Sequence, residues 1–217
     1  MIKKEIYPKT IRMPELGTKV HITEKLDGSN LCIFKKNGVI HVAQRSTIYT
    51  IEEAMAEENR KALYPDLYNF LVTHKDWLSE NLFEGSAICG EWLGMGKIKY
   101  DWDKLFGSRF CMFAKARVND EFTLESICYD HSLFGWIFTA NGEEPKVPAF
   151  MATVPVVEDA DWLPNKERLN TLYDEYTSKV GRPVEGFVCS YAGSVMKYVR
   201  MKNGKVVEYF EKDHKGI

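Results

Sequence analysis

The pair Asn37-Gly38 stands between two apolar, β-branched segments, LCIFKK and VIHVAQRS, and it constrains the fold more than any other feature of the chain. An Asn-Gly pair takes the positive φ values of a type I′ turn at little cost, so the flanking segments must run back on each other as antiparallel strands. Asn203-Gly204 is a second such turn, between VMKYVRMK and KVVEYF, and EGFVCSY comes before it across a turn at Gly193. Strands are also expected at VHITEK, ending on Lys25, at SAICGEWLG, at RFCMFAKARV and at TVPVVE. Between them, IEEAMAEENRKAL carries Ile51, Ala54, Met55, Ala62 and Leu63 at helical spacing. A second helix is predicted from Asp66 to Leu82, after Pro65, and a third over NKERLNTLYDEYTSKV, with Leu169, Leu172 and Tyr176 on one face. Residues 121–139 read equally as short helix or strand. Hairpins alternating with helices make an α+β chain with antiparallel sheets flanked by helices, not a doubly wound parallel sheet. No Walker loop or G-x-G-x-x-G turn opens a helix.

With 217 residues, 45% of them hydrophobic, the chain can bury one sizeable core but not two large independent ones, so a single domain over residues 1–217 is expected. The net charge of −2, from 29 basic and 31 acidic residues, gives no bulk attraction for nucleic acid, and any basic surface must be local. The five cysteines form no C-x-x-C pair and sit mostly in apolar runs, which reads as buried reduced thiols in a reducing compartment. The start MIKKEIYPKT lacks an apolar signal core and no long apolar span follows. A cytoplasmic protein without membrane contact is expected (host cytoplasm if viral). No histidine pair has metal-ligand spacing, so zinc is not expected.

The chemistry concentrates in Glu24-Lys25-Leu26-Asp27-Gly28-Ser29-Asn30. A lysine leaving a strand, followed by Asp-Gly, suits an amine held at the rim of a pocket, although the tetrad taken alone fits a solvated strand end with a type I turn better. Such an amine attacks only when unprotonated, so desolvation or neighbouring cations must favour its neutral form. Glu91 and Glu185 each lie in an apolar segment beside glycine, where an unpaired carboxylate would be costly. Arg45 ends a hairpin strand, Phe110 and Phe113 share a strand, and Lys197, Arg200 and Lys202 lie near the end of the chain. Lys97, Lys99, Lys104, Arg109, Lys115 and Arg117 alternate with Tyr100, Trp102 and Phe106, a mixture that suits single-strand binding or an ordinary solvated loop.

In this order the segments EKLDGSN, AQRS, CGEWLG, RFCMF, VEGFVC and VMKYVRMK resemble the covalent nucleotidyltransferase superfamily of ATP-dependent DNA ligases, RNA ligases and mRNA capping enzymes. The likeness covers roughly residues 22–202 and is nearest to the RNA ligase branch, where E-K-x-D-G-[ST]-N is a familiar opening. It implies a nucleotidyltransferase (ATP-grasp-like) domain that uses ATP with Mg²⁺ or Mn²⁺. Lys25 would attack the α-phosphate and expel pyrophosphate, and Asp27 would hold the ribose or the lysine. Glu24, Arg45 and Lys197 would contact the nucleotide, with Lys197 on the α-phosphate. Glu91 would bind the ribose hydroxyls, Phe110 (or Phe113) would stack on adenine, and Glu185 with Glu91 would hold the metal. Ser29, Asn30, Arg45, Arg200 and Lys202 would face RNA, whose 5′-phosphate and 3′-hydroxyl ends would be sealed.

An end-processing kinase or phosphatase is a candidate partner; the oligomeric state is open. Only 24 residues precede Lys25 and 15 follow Lys202, which favours ATP over NAD and a domain without a C-terminal OB barrel. GTP-dependent capping, a minimal DNA ligase and a non-catalytic nucleic-acid binder are the alternatives. Two departures stand out: Val199 occupies the place of a second cation two residues after Lys197, and Ala114 replaces the aspartate of the relatives' Phe-Asp pair. Lys25→Ala is expected to abolish transfer of label from α-labelled ATP to the protein while leaving its circular dichroism unchanged; the bond in the unmutated protein should be acid-labile, as a phosphoramide is.

Overall fold

The computed structural model describes residues 1–4, 6, 19–138, 146–191 and 194–211. The strands are β1 (Val20–Lys25), β2 (Ser29–Lys36), β3 (Val39–Gln44), β4 (Thr47–Thr50), β5 (Ser86–Trp92), β6 (Phe110–Val118), β7 (Leu124–Cys128), β8 (Ala152–Thr153), β9 (Val156–Ala160), β10 (Gly186–Tyr191), β11 (Ser194–Lys202) and β12 (Lys205–Phe210). The helices are α1 (Ile51–Met55), α2 (Leu67–Asn81), α3 (Trp102–Phe106) and α4 (Lys166–Val180). Both Asn-Gly pairs turn as expected, with φ of 53° and 73° at Asn37-Gly38 and 51° and 73° at Asn203-Gly204. The turn expected at Gly193 lies outside the described residues.

The helix predicted over 51–63 divides. Thr50 opens α1 with a capping box, its hydroxyl accepting from the Glu53 amide and its own amide donating to the Glu53 carboxylate. Ala56 is then extended, and Glu57–Ala62 form a 3-10 helix that buries nothing. Only Ile51 and Ala54 of α1 reach the core. A segment without a continuous apolar stripe has no packing to hold it as one longer helix. Residues 121–139 contain both readings in turn, β7 and then a 3-10 helix over His131–Ile137.

The chain divides into two compact units, each described here by itself. The larger comprises Gly28–Gly96 and Tyr100–Thr153 with the first residues of the chain. Its seven-stranded sheet has the order β4-β3-β2-β5-β6-β7, with β8 beside β6 in the unit's one parallel pairing among the described strands. Period-two alternation gives the sheet two apolar faces. One packs Leu31, Ile33, Ile40 and Val42 against Leu67, Leu71 and Leu78 of α2; the other gathers Cys32, Phe34, Ala43, Ala87 and Cys89. The Cys32 and Cys89 thiols lie 3.9 Å apart and are buried, as the apolar context predicts.

The smaller unit takes β1, Lys97–Lys99 and the residues from Val154 on. Its antiparallel sheet has the order β12-β11-β10-β1-β9, and α4 covers one face through Leu169 and Tyr173 on Ile22, Phe187 and Tyr198. Gly186 fixes how closely β10 meets β11: a Cβ there would lie 1.9 Å from the Tyr198 carbonyl oxygen. Just before it, the Glu185 carbonyl accepts from both the Arg200 and Met201 amides, at 2.8 and 2.9 Å. Two residues of β11 thus oppose one, a bulge that shifts the register beyond Val199. Among the described residues no helix is long and apolar enough to cross a membrane.

Gly186→Ala should destabilise this sheet by about 2–3 kcal/mol, the scale of overpacking, because the neighbouring atom is backbone and cannot rotate away. Urea unfolding measures it.

Candidate active site

Strand alternation separates Glu24 from Lys25. Lys25 lies on the face of β1 away from α4, and its Nζ donates to Glu185 Oε2 at 2.7 Å. Both side chains are largely withdrawn from solvent, 16% and 13% exposed. The pair sits where the ladder ends, since Lys25 pairs with Gly186 and Glu185 is the residue before it. Burial pushes the Glu185 carboxyl above its ordinary range; the Lys25 ammonium opposes that, and the Asp27 and Glu211 carboxylates reinforce it. Asp27 accepts from the Lys97 and Ile98 amides at 2.6 and 2.8 Å, so its carboxylate fixes that backbone near the end of β1.

Lys197 pairs with Val188, which pairs with Thr23, so its side chain leaves the sheet on the face of Lys25. Its Nζ lies 3.8 Å from Glu211 Oε2, and its carbonyl accepts from the Glu211 amide at 2.8 Å. The bulge answers which cation accompanies it. A regular strand would put Arg200 and Lys202 together on the opposite face; here they part. Arg200 reaches the Val207 carbonyl and Glu208 and acts on Tyr173 and Tyr198, on the face of α4. Lys202 donates to the Tyr209 hydroxyl at 2.9 Å, and Tyr209 pairs with Val199 on the face of Lys197. The charges of Glu211 and Glu185 add to the Tyr209 contact in raising the Lys202 pKa. Lys202 is therefore the cation that lies with Lys197 on the face where Val199 carries no charge.

The side chain of Glu24, expected at the nucleotide, is committed elsewhere. It follows Val20 and Ile22 on the buried face, has no exposed side-chain surface, and takes both Arg182 guanidinium nitrogens at 2.5 Å and the Tyr176 hydroxyl at 2.8 Å. Sequence reading missed Arg182 and Tyr176. The signal was the parity of Glu24 with Val20 and Ile22, because a carboxylate on an apolar face requires a cation.

In the larger unit, Ser29, Asn30, Arg45 and Glu91 gather at one end of the sheet. Asn30 pairs with Glu91 and Ser29 with Trp92, and Arg45 follows the last residue of β3. Gly28 admits this approach, for a Cβ there would lie 2.5 Å from the Trp92 carbonyl oxygen and 2.9 Å from Glu91 Cγ. Tyr64, also missed, ties the group together. Its hydroxyl donates to the Asn30 carbonyl at 3.2 Å, accepts from the Arg45 amide at 3.3 Å, and hydrogen-bonds the Ser29 side chain. Burial raises the Tyr64 pKa, and the Glu91 charge adds to it. Gln44 secures the segment through the Tyr64 amide and the Ala62 carbonyl. Tyr64 lies between two predicted helices, where local pattern gave no reason to single it out.

Phe110 is not placed to stack on a base. It is fully buried beside Phe70, and its ring fills the space left by the missing side chain of Gly90, whose Cβ would lie 2.4 Å from it. Phe113, opposite the register shift between Cys89 and Gly90, is partly buried against the other apolar face. The basic cluster read along the loop also divides. Lys97 and Lys99 belong to the smaller unit, and Arg109 is structural, bonded to the Leu93 carbonyl and Asp66 and lying over the Trp92 and Trp102 rings.

Among the described residues no three His, Cys, Asp or Glu side chains converge as a metal cage. Glu185 is a hard oxygen donor, which fits an ion that keeps phosphate oxygens and water as its remaining ligands, the habit of Mg²⁺.

The RNA ligase family model matches residues 18–202. No curated protein matches the sequence. Among solved structures, a Naegleria gruberi RNA ligase variant with ATP and Mn aligns at 21% identity over 84% of this chain and 50% of that one, with a TM-score of 0.49. A second variant of that ligase with ATP and Mn aligns at 19% identity over 90% and 59%, with a TM-score of 0.48. An archaeal ATP-dependent RNA ligase aligns at 14% identity over 85% and 43%, with a TM-score of 0.47. The chain thus spans about half the length of these proteins.

The raised Glu185 pKa sets a pH dependence. A carboxyl that binds its proton more tightly folded than unfolded contributes stability below its ordinary value of 4.5, and that contribution is lost as pH rises through the folded value. Glu185→Gln cannot titrate, so the stability of the unmutated protein should fall relative to the variant across that window. Parallel urea titrations at stepped pH read the difference; a flat difference would contradict the assignment.

Proposed function

This chain belongs to the RNA ligase family, and on that premise we propose that it is an ATP-dependent RNA ligase working through a lysyl-AMP intermediate on Lys25. The observation that carries the reading is the Lys25–Glu185 pair, an amine and a carboxylate 2.7 Å apart and largely withdrawn from water. Glu185, made a stronger base by burial, accepts the ammonium proton and leaves Lys25 with a lone pair. That lone pair attacks the α-phosphorus of ATP: a nitrogen–phosphorus bond forms, the bond to the bridging oxygen breaks, and pyrophosphate leaves. The AMP then passes to the oxygen of an RNA 5′-phosphate, restoring the lysine. Attack by a 3′-hydroxyl on the adenylylated end makes the phosphodiester and releases AMP.

Phosphoryl transfer of this kind asks for positioning and for neutralisation of phosphate charge. Lys197 and Lys202, on the face of Lys25, supply cations, and Asp27 holds the backbone of Lys97 and Ile98 in place. A bound Mg²⁺ or Mn²⁺ would supply further neutralisation, with the Glu185 carboxylate among the oxygen donors that would hold it once its proton has left. Glu91 serves the ribose hydroxyls, and Ser29, Asn30 and Arg45 receive the RNA end, fixed by Tyr64. We place residues 1–217 in one nucleotidyltransferase domain of the ATP-grasp-like kind, acting in the cytoplasm on ends prepared by a kinase or phosphatase.

The test is end-joining of 5′-phosphorylated RNA and DNA strands, with and without a bridging strand, alongside labelling from ATP and GTP. RNA joined with ATP is expected. Label from GTP alone, or DNA joined in preference, would overturn the substrate assignment. Lys197→Ala should slow labelling by about 10²-fold, the scale for loss of one charge-stabilising donor.

A further inference from the structure

We propose that Arg182 is a positioning residue for the nucleophile, acting through Glu24 to hold Lys25 in register with Glu185; this rests on the reading of Lys25 as the adenylylated residue. Glu24 and Lys25 are consecutive on β1, so whatever fixes one side chain fixes the backbone that aims the other. Arg182 grips both Glu24 carboxylate oxygens at 2.5 Å, and Tyr176 donates a third hydrogen bond at 2.8 Å. A planar guanidinium held at two points resists both rotation and translation.

The grip also joins the segments that carry the reacting pair. Arg182 is three residues before Glu185, and the Lys25–Gly186 pairing closes the ladder between them. On its other side Glu185 is anchored through its carbonyl, which accepts from Arg200 and Met201 at the bulge. The carboxylate facing the amine is therefore fixed from β11 on one side and, through Arg182 and Glu24, from the nucleophile's own strand on the other. Stability alone does not require such a device, since an apolar pair of similar volume often serves as well as a buried ion pair.

Three variants separate alignment from stability, read by the rate of Lys25 labelling at saturating ATP, its KM and the thermal midpoint. Arg182→Met leaves a buried carboxylate unpaired and should be both unstable and slow. Arg182→Lys keeps the charge without the two-point grip; it should label about tenfold slower with KM within about twofold, as expected of misalignment rather than lost binding. Glu24→Gln combined with Arg182→Met removes the unpaired charge and keeps an acceptor for Tyr176. It should recover the thermal midpoint but remain slow. Labelling of the double variant at the unmutated rate would show the grip to be a stability element and overturn the proposal. If the unmutated protein takes no label, or Lys25→Ala still takes it, the reading of Lys25 fails instead, and this inference with it.

Discussion

An ammonium and a carboxylate withdrawn together from water are the interaction on which this account depends. Desolvating two charges costs several kcal/mol per ion, and their attraction returns that only when geometry and further hydrogen bonds are favourable. The Lys25–Glu185 pair is short, but Glu185 also feels Asp27 and Glu211, so the acids around the amine outnumber what a purely structural ion pair would need. Such a surplus is poorly suited to stability. In the reading proposed above it would suit a divalent cation, which would offset both these acids and the charge of an incoming phosphate.

The rest of the smaller unit holds that pair at a sheet end without a loop to slacken it. Gly186 lets β10 approach β11 so closely that only a residue without a Cβ fits, and the bulge beside it turns Lys202 toward the face of Lys197 and Lys25. One backbone irregularity thus sends Arg200 toward α4 and leaves Lys197 and Lys202 on the face of Lys25. In the larger unit a corresponding economy appears at Tyr64, whose single hydroxyl joins the starts of β2 and of the turn after β3. Gly28 serves there as Gly186 does in the other unit, by removing a side chain where backbone and carboxylate must come close.

How much of this was legible in the sequence follows from how local each determinant is. The Asn-Gly turns and the strand ending on Lys25 depend on neighbours in the chain, and they read correctly. Family order drew attention to Glu24 and Phe110, but order says nothing about the face a side chain takes. Parity placed Glu24 with Val20 and Ile22, and Gly90 opened room for the Phe110 ring in the core. Arg182, Tyr176 and Tyr64 act across long chain separations, where a single-sequence pattern can call for a partner, as the parity of Glu24 does, without naming it. The break at Ala56 was hidden because helical spacing of Ile51, Ala54 and Met55 is real but too short to continue.

The most direct measurement is proteolytic peptide mapping by mass spectrometry after incubation with ATP and Mg²⁺, under neutral conditions that preserve a phosphoramide. The account predicts a single adduct with the mass of AMP, on the peptide containing Lys25 and fragmenting to that residue. An adduct on Lys197, Lys202 or any other residue, or none from ATP while another nucleotide yields one, would contradict it.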